Sequence, residues 1–214
     1  MENKTLLYAG MIAALVAFLA ALMMGFGVPL PAGEVTWQPS YPPTALADFV
    51  RPITAYPDQM LRFFAADSLF VMSYLMVFAA LYGVMPGRVR PLALVGFGAG
   101  ILTALFDATE NGFFITYALL ARQATPLPDP PLTLIFMLSY LKWAASFTTL
   151  YAYGLVLPRN TRLSWVVAGL MLLFPLVGVL SIAWPGLTDL RGLFLLLGMA
   201  LFAAYFWQQA SSRQ

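Results

Sequence analysis

The fold of this chain is decided by the stretch 106-FDATENG-112. It places two carboxylates and a carboxamide inside an apolar run from Leu92 to Leu120, which is long enough for a helix to cross a bilayer. Charged side chains in such a helix cost roughly 3 kcal/mol each on insertion scales. Asp107, Glu110 and Asn111 stand at positions i, i+3 and i+4, so they share one helix face. We expect that face to point into a bundle of helices and not at lipid.

The composition of the chain is that of a membrane protein. Of 214 residues, 61% are hydrophobic and 9% are charged, against about 25% charged in an ordinary soluble domain. The net charge of +2 does not indicate nucleic-acid binding, because the basic residues lie at the ends of apolar runs. The absence of Cys and His excludes disulfides, thiolate or imidazole catalysis and the usual zinc and haem ligation. We therefore predict no cofactor and no metal; a metal would need an all-oxygen site.

Six apolar runs predict an all-α integral membrane protein, a six-transmembrane-helix bundle in one domain. The predicted spans are residues 5–26, 57–83, 92–120, 132–157, 163–184 and 190–207. The first run is longer than the apolar core of a signal peptide, so we expect it to be retained. Residues 27–56 form one long proline-rich connection, in which only a short helix from Thr44 to Arg51 is expected.

The basic residues at the span ends predict the orientation of the bundle. The side that holds both termini carries Lys4, Arg88, Arg90, Arg159, Arg162 and Arg213. The opposite side carries Arg51, Arg62, Arg122 and Arg191, together with most of the acidic residues of the connections. The excess of basic residues predicts that both termini are cytoplasmic. The connection 27–56 is then external, and the expected location is the cell membrane, which the chain crosses several times.

Two further spans carry ionisable residues that can meet the face of the third span. Asp67 lies in the second span and Lys142 in the fourth. From the helical rise of about 1.5 Å per residue, these residues and Asp107 fall at roughly 9–20 Å below the external surface. We predict one site in the outer half of the bilayer. Its predicted catalytic residues are Asp107, Glu110, Lys142 and Asp67, and its predicted substrate-binding residues are Asn111, Tyr74, Ser139 and Ser146.

Three functions remain open from the sequence. The first is an intramembrane site that binds or chemically modifies a lipid or another hydrophobic small molecule, with a protonated carboxylate as acid and an ionised one as base. Lys142 would then hold the developing negative charge. The second is a small proton-coupled carrier or exporter that uses Asp67, Asp107 and Glu110 as a proton relay. The third is an assembly subunit whose charges only hold helices together.

The distribution of charge favours the first function. The ionisable residues are concentrated in one layer of three spans, and the first, fifth and sixth spans carry almost none. A carrier needs a route to both sides of the membrane, and charges that only join helices would spread more widely. Whether the protein is an enzyme is left open. The expected partners are membrane lipids, with a hydrophobic small molecule or a second copy of the chain left open.

Overall fold

The computed structural model describes residues 2–28, 46–129 and 131–212, and every regular element among them is helical. The elements are six long helices and one short helix, α2. Their bounds are α1 Glu2–Leu22, α2 Leu46–Ala55, α3 Pro57–Val84, α4 Arg90–Arg122, α5 Leu132–Val156, α6 Arg162–Ala183 and α7 Thr188–Ser211. A π-helix, Met23–Gly27, continues α1, and 3-10 turns, Gly87–Val89 and Pro185–Leu187, precede α4 and α7.

Local sequence explains where several helices begin. Pro57 is the first residue of α3, where its missing N–H leaves no hydrogen bond unmade. Thr161 caps α6 in a capping box, in which its side chain accepts from the Ser164 backbone and Ser164 accepts from the Thr161 backbone. The six long helices begin and end within four residues of the predicted spans. The short helix α2 continues through Pro52 to Ala55, further than expected, and its expected cap Thr44 lies outside the described residues.

Five helices are long and apolar enough to cross a membrane. These segments are Lys4–Gly27, Pro57–Val84, Gly87–Arg122, Arg162–Ala183 and Leu190–Ser211. The helix α5 is not among them, because Lys142 and its serines and threonines lower its mean hydropathy. The protein is therefore a multi-pass, all-helical membrane protein.

The six long helices form a closed ring in the order α1, α3, α4, α5, α6, α7 and back to α1. Neighbouring helices are antiparallel. Leu6 of α1 lies against Gly83 of α3, while Gly10 lies against Ala80, so the numbering rises along one helix as it falls along the other. Gly10 also faces Phe206 of α7, which closes the ring. We call the end where α1 begins and α7 ends the terminal end, and the opposite end the loop end.

Glycines allow close approach at several crossings of the ring. Gly96 and Gly100 have the i, i+4 spacing of a small-residue contact pair. Gly96 faces Ala152 of α5, while a Cβ at Gly100 would lie 2.7 Å from the ring of Phe78 in α3. The pair therefore serves two interfaces of α4 and not one.

Apolar cores pack both ends of the ring. At the terminal end, buried side chains from all six long helices pack together, among them Leu7, Leu81, Ala93, Tyr153, Val167 and Phe206. Tyr153 of α5 is fully buried there and its hydroxyl donates to the Phe78 carbonyl at 2.9 Å. At the loop end a second cluster packs α2 against α3, α4 and α5 through Ile53, Met60, Phe64, Phe114 and Ile135.

The helices are not level at the loop end. Phe147, fifteen residues after the first residue of α5, lies against Gly178, which is five residues before the last residue of α6. With a rise of 1.5 Å per residue, α5 therefore extends about 15 Å beyond α6 at this end. The short connection from α6 to α7 keeps the start of α7 at the lower level. The first residues of α7 therefore lie below the loop end of α5, at the level of the middle of that helix.

Candidate functional site

A cavity of about 770 Å³ lies inside the ring, and all six long helices or their extensions line it. Its size falls in the range of small-molecule sites, roughly 300–1,000 Å³. The walls are mostly apolar, with phenylalanines from α3, α6 and α7. The polar side chains of the lining are Asp67, Tyr74, Thr103, Asp107, Lys142, Ser146, Thr188 and Arg191.

Lys142 of α5 bridges two carboxylates of α4. Its Nζ donates to Asp107 Oδ1 at 2.9 Å and to Glu110 Oε2 at 2.5 Å. One ammonium reaches both carboxylates because they stand one helical turn apart on the same face. The other oxygens are also satisfied, since the Tyr74 hydroxyl donates to Asp107 Oδ2 at 3.1 Å and the Ser139 hydroxyl to Glu110 Oε1 at 2.5 Å. The network ties α3, α4 and α5 together, with both carboxylates 6% exposed.

Asp67 of α3 lies beside this network but is not ion-paired within it. It lines the cavity and interacts electrostatically with Asp107, Lys142 and Glu110. Its side chain also interacts with that of Asn111, although Asn111 Nδ2 makes no hydrogen bond of normal geometry within the described residues. With Lys142 already shared by two carboxylates, Asp67 is the carboxylate that faces the cavity without a direct cation.

The structure brings seven of the eight predicted site residues into one group. Five of them form one hydrogen-bonded network centred on Lys142, and Asp67 and Asn111 lie next to it. The other members of the network are Tyr74, Asp107, Glu110 and Ser139. Ser146 lines the cavity without joining this group. Glu110, Asn111 and Ser139 do not line the cavity and lie behind the residues that do.

Three residues that bring polar atoms to the cavity, Arg191, Trp143 and Thr188, were not among the predicted site residues. Arg191 of α7, which was counted as a charge flanking a span, is 7% exposed and lines the cavity. Its guanidinium carbon lies 4.0 Å from the ring centroid of Trp143, and no carboxylate pairs with it among the described side chains. Trp143 Nε1 and Thr188 Oγ1 are buried and find no hydrogen-bond partner in the described part of the chain. The i, i+3 spacing of Thr188 and Arg191 is the one signal in the sequence that places both on one face.

The cavity extends from the loop end into the ring without reaching the terminal end. Met24, Gly25 and Phe26 of the π-helix line it on the loop side. Phe78, Leu150 and Phe202 are the lining residues of α3, α5 and α7 closest to the terminal end. Thr149 and Tyr153 are fully buried and outside the lining, and the apolar core packs below them.

No group of acidic residues suited to hold a metal ion occurs in the parts of the chain that the structure describes. The Lys142 ammonium occupies the position between Asp107 and Glu110 that a metal ion would need. Comparison with protein-family models, with curated proteins and with solved structures finds no match to the chain. The chemistry of the cavity is therefore the guide to function.

Proposed function

We propose that the chain is a six-span protein of the cell membrane whose cavity binds a lipid or another apolar molecule and exchanges a proton with it. The observation that carries this proposal is the coexistence, in one cavity, of mostly apolar walls and a carboxylate, Asp67, that has no direct cation among the described residues. Apolar walls with few polar groups are typical of sites for small organic ligands, which the polar groups orient.

The outer surface of the ring supports α5 as the sixth span. The helix lies between α4 and α6, which are both apolar enough to cross a membrane. It exposes Met137, Leu141 and Leu155 on its outer side, as the other five long helices expose apolar residues on theirs. A ring with an apolar outer surface on every helix fits a surround of lipid.

The charge distribution supports the orientation. Basic residues are in excess at the terminal end, so the proposal has both termini cytoplasmic and residues 27–56 external. The cavity extends inward from the loop end, and its carboxylates then belong to the outer half of the bilayer.

The hydrogen bonds suggest which carboxylates position charge and which one transfers the proton. Asp107 and Glu110 are held by Lys142, Tyr74 and Ser139, so we assign them to the positioning of charge. Asp67 faces the cavity without a direct cation and is assigned as the proton donor or acceptor. The sequence predicted Asp67, Asp107 and Glu110 all to be catalytic; the proposal assigns the proton to Asp67.

The shape of the cavity supports a site reached from one side of the membrane. A carrier needs access from both sides, but the apolar core between the cavity and the terminal end offers no polar continuation in the described part of the chain. A cluster that only holds helices together would not need a cavity of this size. Both observations favour binding or chemistry on a molecule that enters from one leaflet.

Identification of bound molecules tests the proposal. The protein is purified in an uncharged detergent, and extracted molecules are identified by mass spectrometry. We expect a molecule that accompanies the wild type and is lost from Gly198→Phe, because Gly198 lines the cavity. Gly98→Phe is the matched control, since a side chain at Gly98 meets open space on the outside of α4. Identical extracts from all three proteins would contradict the proposal.

The proton step has a separate test. The protein is incubated in bilayers with the identified molecule, and the products are compared with those of Asp67→Asn, which keeps the size of the side chain. We expect this variant to bind the molecule but not to form the products that require proton transfer. Unchanged conversion would contradict the assignment of Asp67. Proton flux into liposomes that Asp67→Asn abolishes would favour the carrier instead.

A further inference from the structure

We infer that Arg191, Thr188 and Trp143 form a subsite for the oxyanion head of an amphiphile, a carboxylate or a phosphate, whose chain fills the apolar part of the cavity. The inference rests on the proposed function, because it concerns the same cavity and names the class of molecule that enters it. It adds a binding group on α7, away from the carboxylates of α3 and α4.

The first observation is a set of hydrogen-bond donors that lack acceptors. Arg191 is 93% buried, being 7% exposed, and pairs with no carboxylate among the described side chains. Trp143 Nε1 and Thr188 Oγ1 are buried and have no hydrogen-bond partner among the residues that the structure describes. All three residues line the cavity, and the Arg191 guanidinium lies on the Trp143 ring at 4.0 Å. An unpaired buried cation is strongly unfavourable unless an anion accompanies it, so these donors are suited to bind oxyanion oxygens.

The second observation is the start of α7. Thr188 is its first residue, Arg191 follows one turn later, and no side chain caps the helix at Leu187. The apolar side chain of Leu187 leaves the first N–H groups of this 24-residue helix without a cap from that position. Their dipoles add to the positive charge of Arg191 and favour an anion at the same place.

The surroundings favour an amphiphile over a free ion. Next to the subsite the lining is apolar, with Phe174, Phe194 and Leu195. The carboxylates of the cluster lie on the other side of Lys142, whose Nζ is 6.0 Å from the Trp143 ring centroid. An anionic head is attracted to Arg191 and repelled by Asp67 and Asp107. With the head at Arg191, the adjoining part of the ligand's chain lies near Asp67.

The experiment uses Trp143 as the reporter. The other four tryptophans, Trp37, Trp165, Trp184 and Trp207, are replaced by Phe, which leaves fluorescence from the cavity alone. The protein in an uncharged detergent is titrated with dibromostearic acid and, separately, with its methyl ester. Bromine quenches tryptophan at close contact, and the two probes differ only in the charge of the head. We expect saturable quenching by the acid with a midpoint at least about tenfold lower than for the ester, the effect of one charged hydrogen bond.

Variants at one position separate charge from folding. Arg191→Met should abolish the difference between acid and ester, whereas Arg191→Lys, which keeps the charge, should retain part of it. Arg62→Met is the matched control, because Arg62 is an exposed arginine of α3 toward the same end of the ring. Its midpoints should equal those of the parent protein.

The outcomes distinguish this inference from the proposed function. Equal midpoints for acid and ester, both saturable and both lost in Gly198→Phe, would leave the cavity as a binding site and overturn the anionic subsite. No saturable quenching by either probe would overturn both. Displacement of the acid by inorganic phosphate or acetate at similar concentrations would show a site for free anions and overturn the amphiphile. Retention of the difference in Arg191→Met would remove Arg191 from the subsite.

Discussion

At the scale of single residues, the cavity contains two buried cations in opposite situations. Lys142 is bonded to two carboxylates, whereas Arg191 has none among the described side chains and rests on an aromatic ring. A buried ion pair contributes little net stability, but breaking it leaves a charge without a partner. The two cations should therefore respond in opposite ways to the same substitution by methionine.

The first prediction is that Lys142→Met lowers the free energy of unfolding by about 3–5 kcal/mol, because Asp107 and Glu110 are left as unpaired buried charges. The measurement is reversible unfolding in mixed micelles. The triple variant Lys142→Met, Asp107→Asn, Glu110→Gln should recover most of the loss, since it removes the charges along with their partner. A small loss in the single variant would mean that the carboxylates take up protons in place of the ammonium.

The second prediction is that Arg191→Met leaves the ligand-free protein as stable as the wild type or makes it more stable. The substitution removes an unpaired charge from an apolar cavity and keeps a long side chain on Trp143. The same unfolding measurement applies, with delipidated protein. A loss similar to that of Lys142→Met would indicate that Arg191 has a structural partner, and it would remove the reason for a ligand at this position.

At the scale of elements, the ring depends on helices that approach closely at small residues. Gly10 is the point where α1 meets both α3 and α7, with a Cβ there lying 2.5 Å from the Cβ of Ala80 and 3.1 Å from the Phe206 ring. The Ala80 Cβ is attached to the backbone and cannot rotate away. Relief of such a clash requires movement of a whole helix.

The third prediction therefore compares Gly10→Ala with Gly98→Ala. Overpacking should make Gly10→Ala less stable by about 1–3 kcal/mol. Gly98→Ala should be neutral or stabilising by up to about 1 kcal/mol, because its methyl group meets open space and alanine favours the helix. Thermal unfolding in one detergent measures both. Equal effects of the two substitutions would mean that α1 does not pack on α3 as described.

At the scale of the whole molecule, an even number of crossings determines which ends share a side. If α5 crosses the membrane, its two flanking connections lie on opposite sides. Thr125 precedes α5, Asn160 follows it, and both are exposed. The chain contains no cysteine, so single cysteines introduced at these positions report without interference.

The fourth prediction is that an impermeant maleimide added to intact cells labels the variant Thr125→Cys but neither Asn160→Cys nor Ser211→Cys. Permeabilised cells serve as the control and should label all three. Labelling at positions 125 and 160 from the same side would remove α5 from the count of spans. Labelling of position 211 alone in intact cells would reverse the orientation.

Several features of the site follow from the sequence because lipid does not solvate charged groups. Charged groups in an apolar span must turn inward and find partners. The i, i+3, i+4 spacing of Asp107, Glu110 and Asn111 therefore sufficed to predict a buried face, and Lys142, ten residues inside its span, was the cation predicted to meet it. Glycine spacing in α4 likewise indicated close packing, although not that two different helices share it.

The tertiary structure alone decided that Asp67 faces the cavity without a direct cation among the described residues, and that Arg191 also lines the cavity. In the sequence Arg191 stands at the end of an apolar run, where an arginine that reaches the membrane surface looks the same as one that is buried. Because α6 ends about 15 Å below the loop end of α5, the first turn of α7 lies at the level of Trp143, and Arg191 is buried there. Such an offset arises from side chains packing between helices distant in the chain, so no local pattern of residues encodes it.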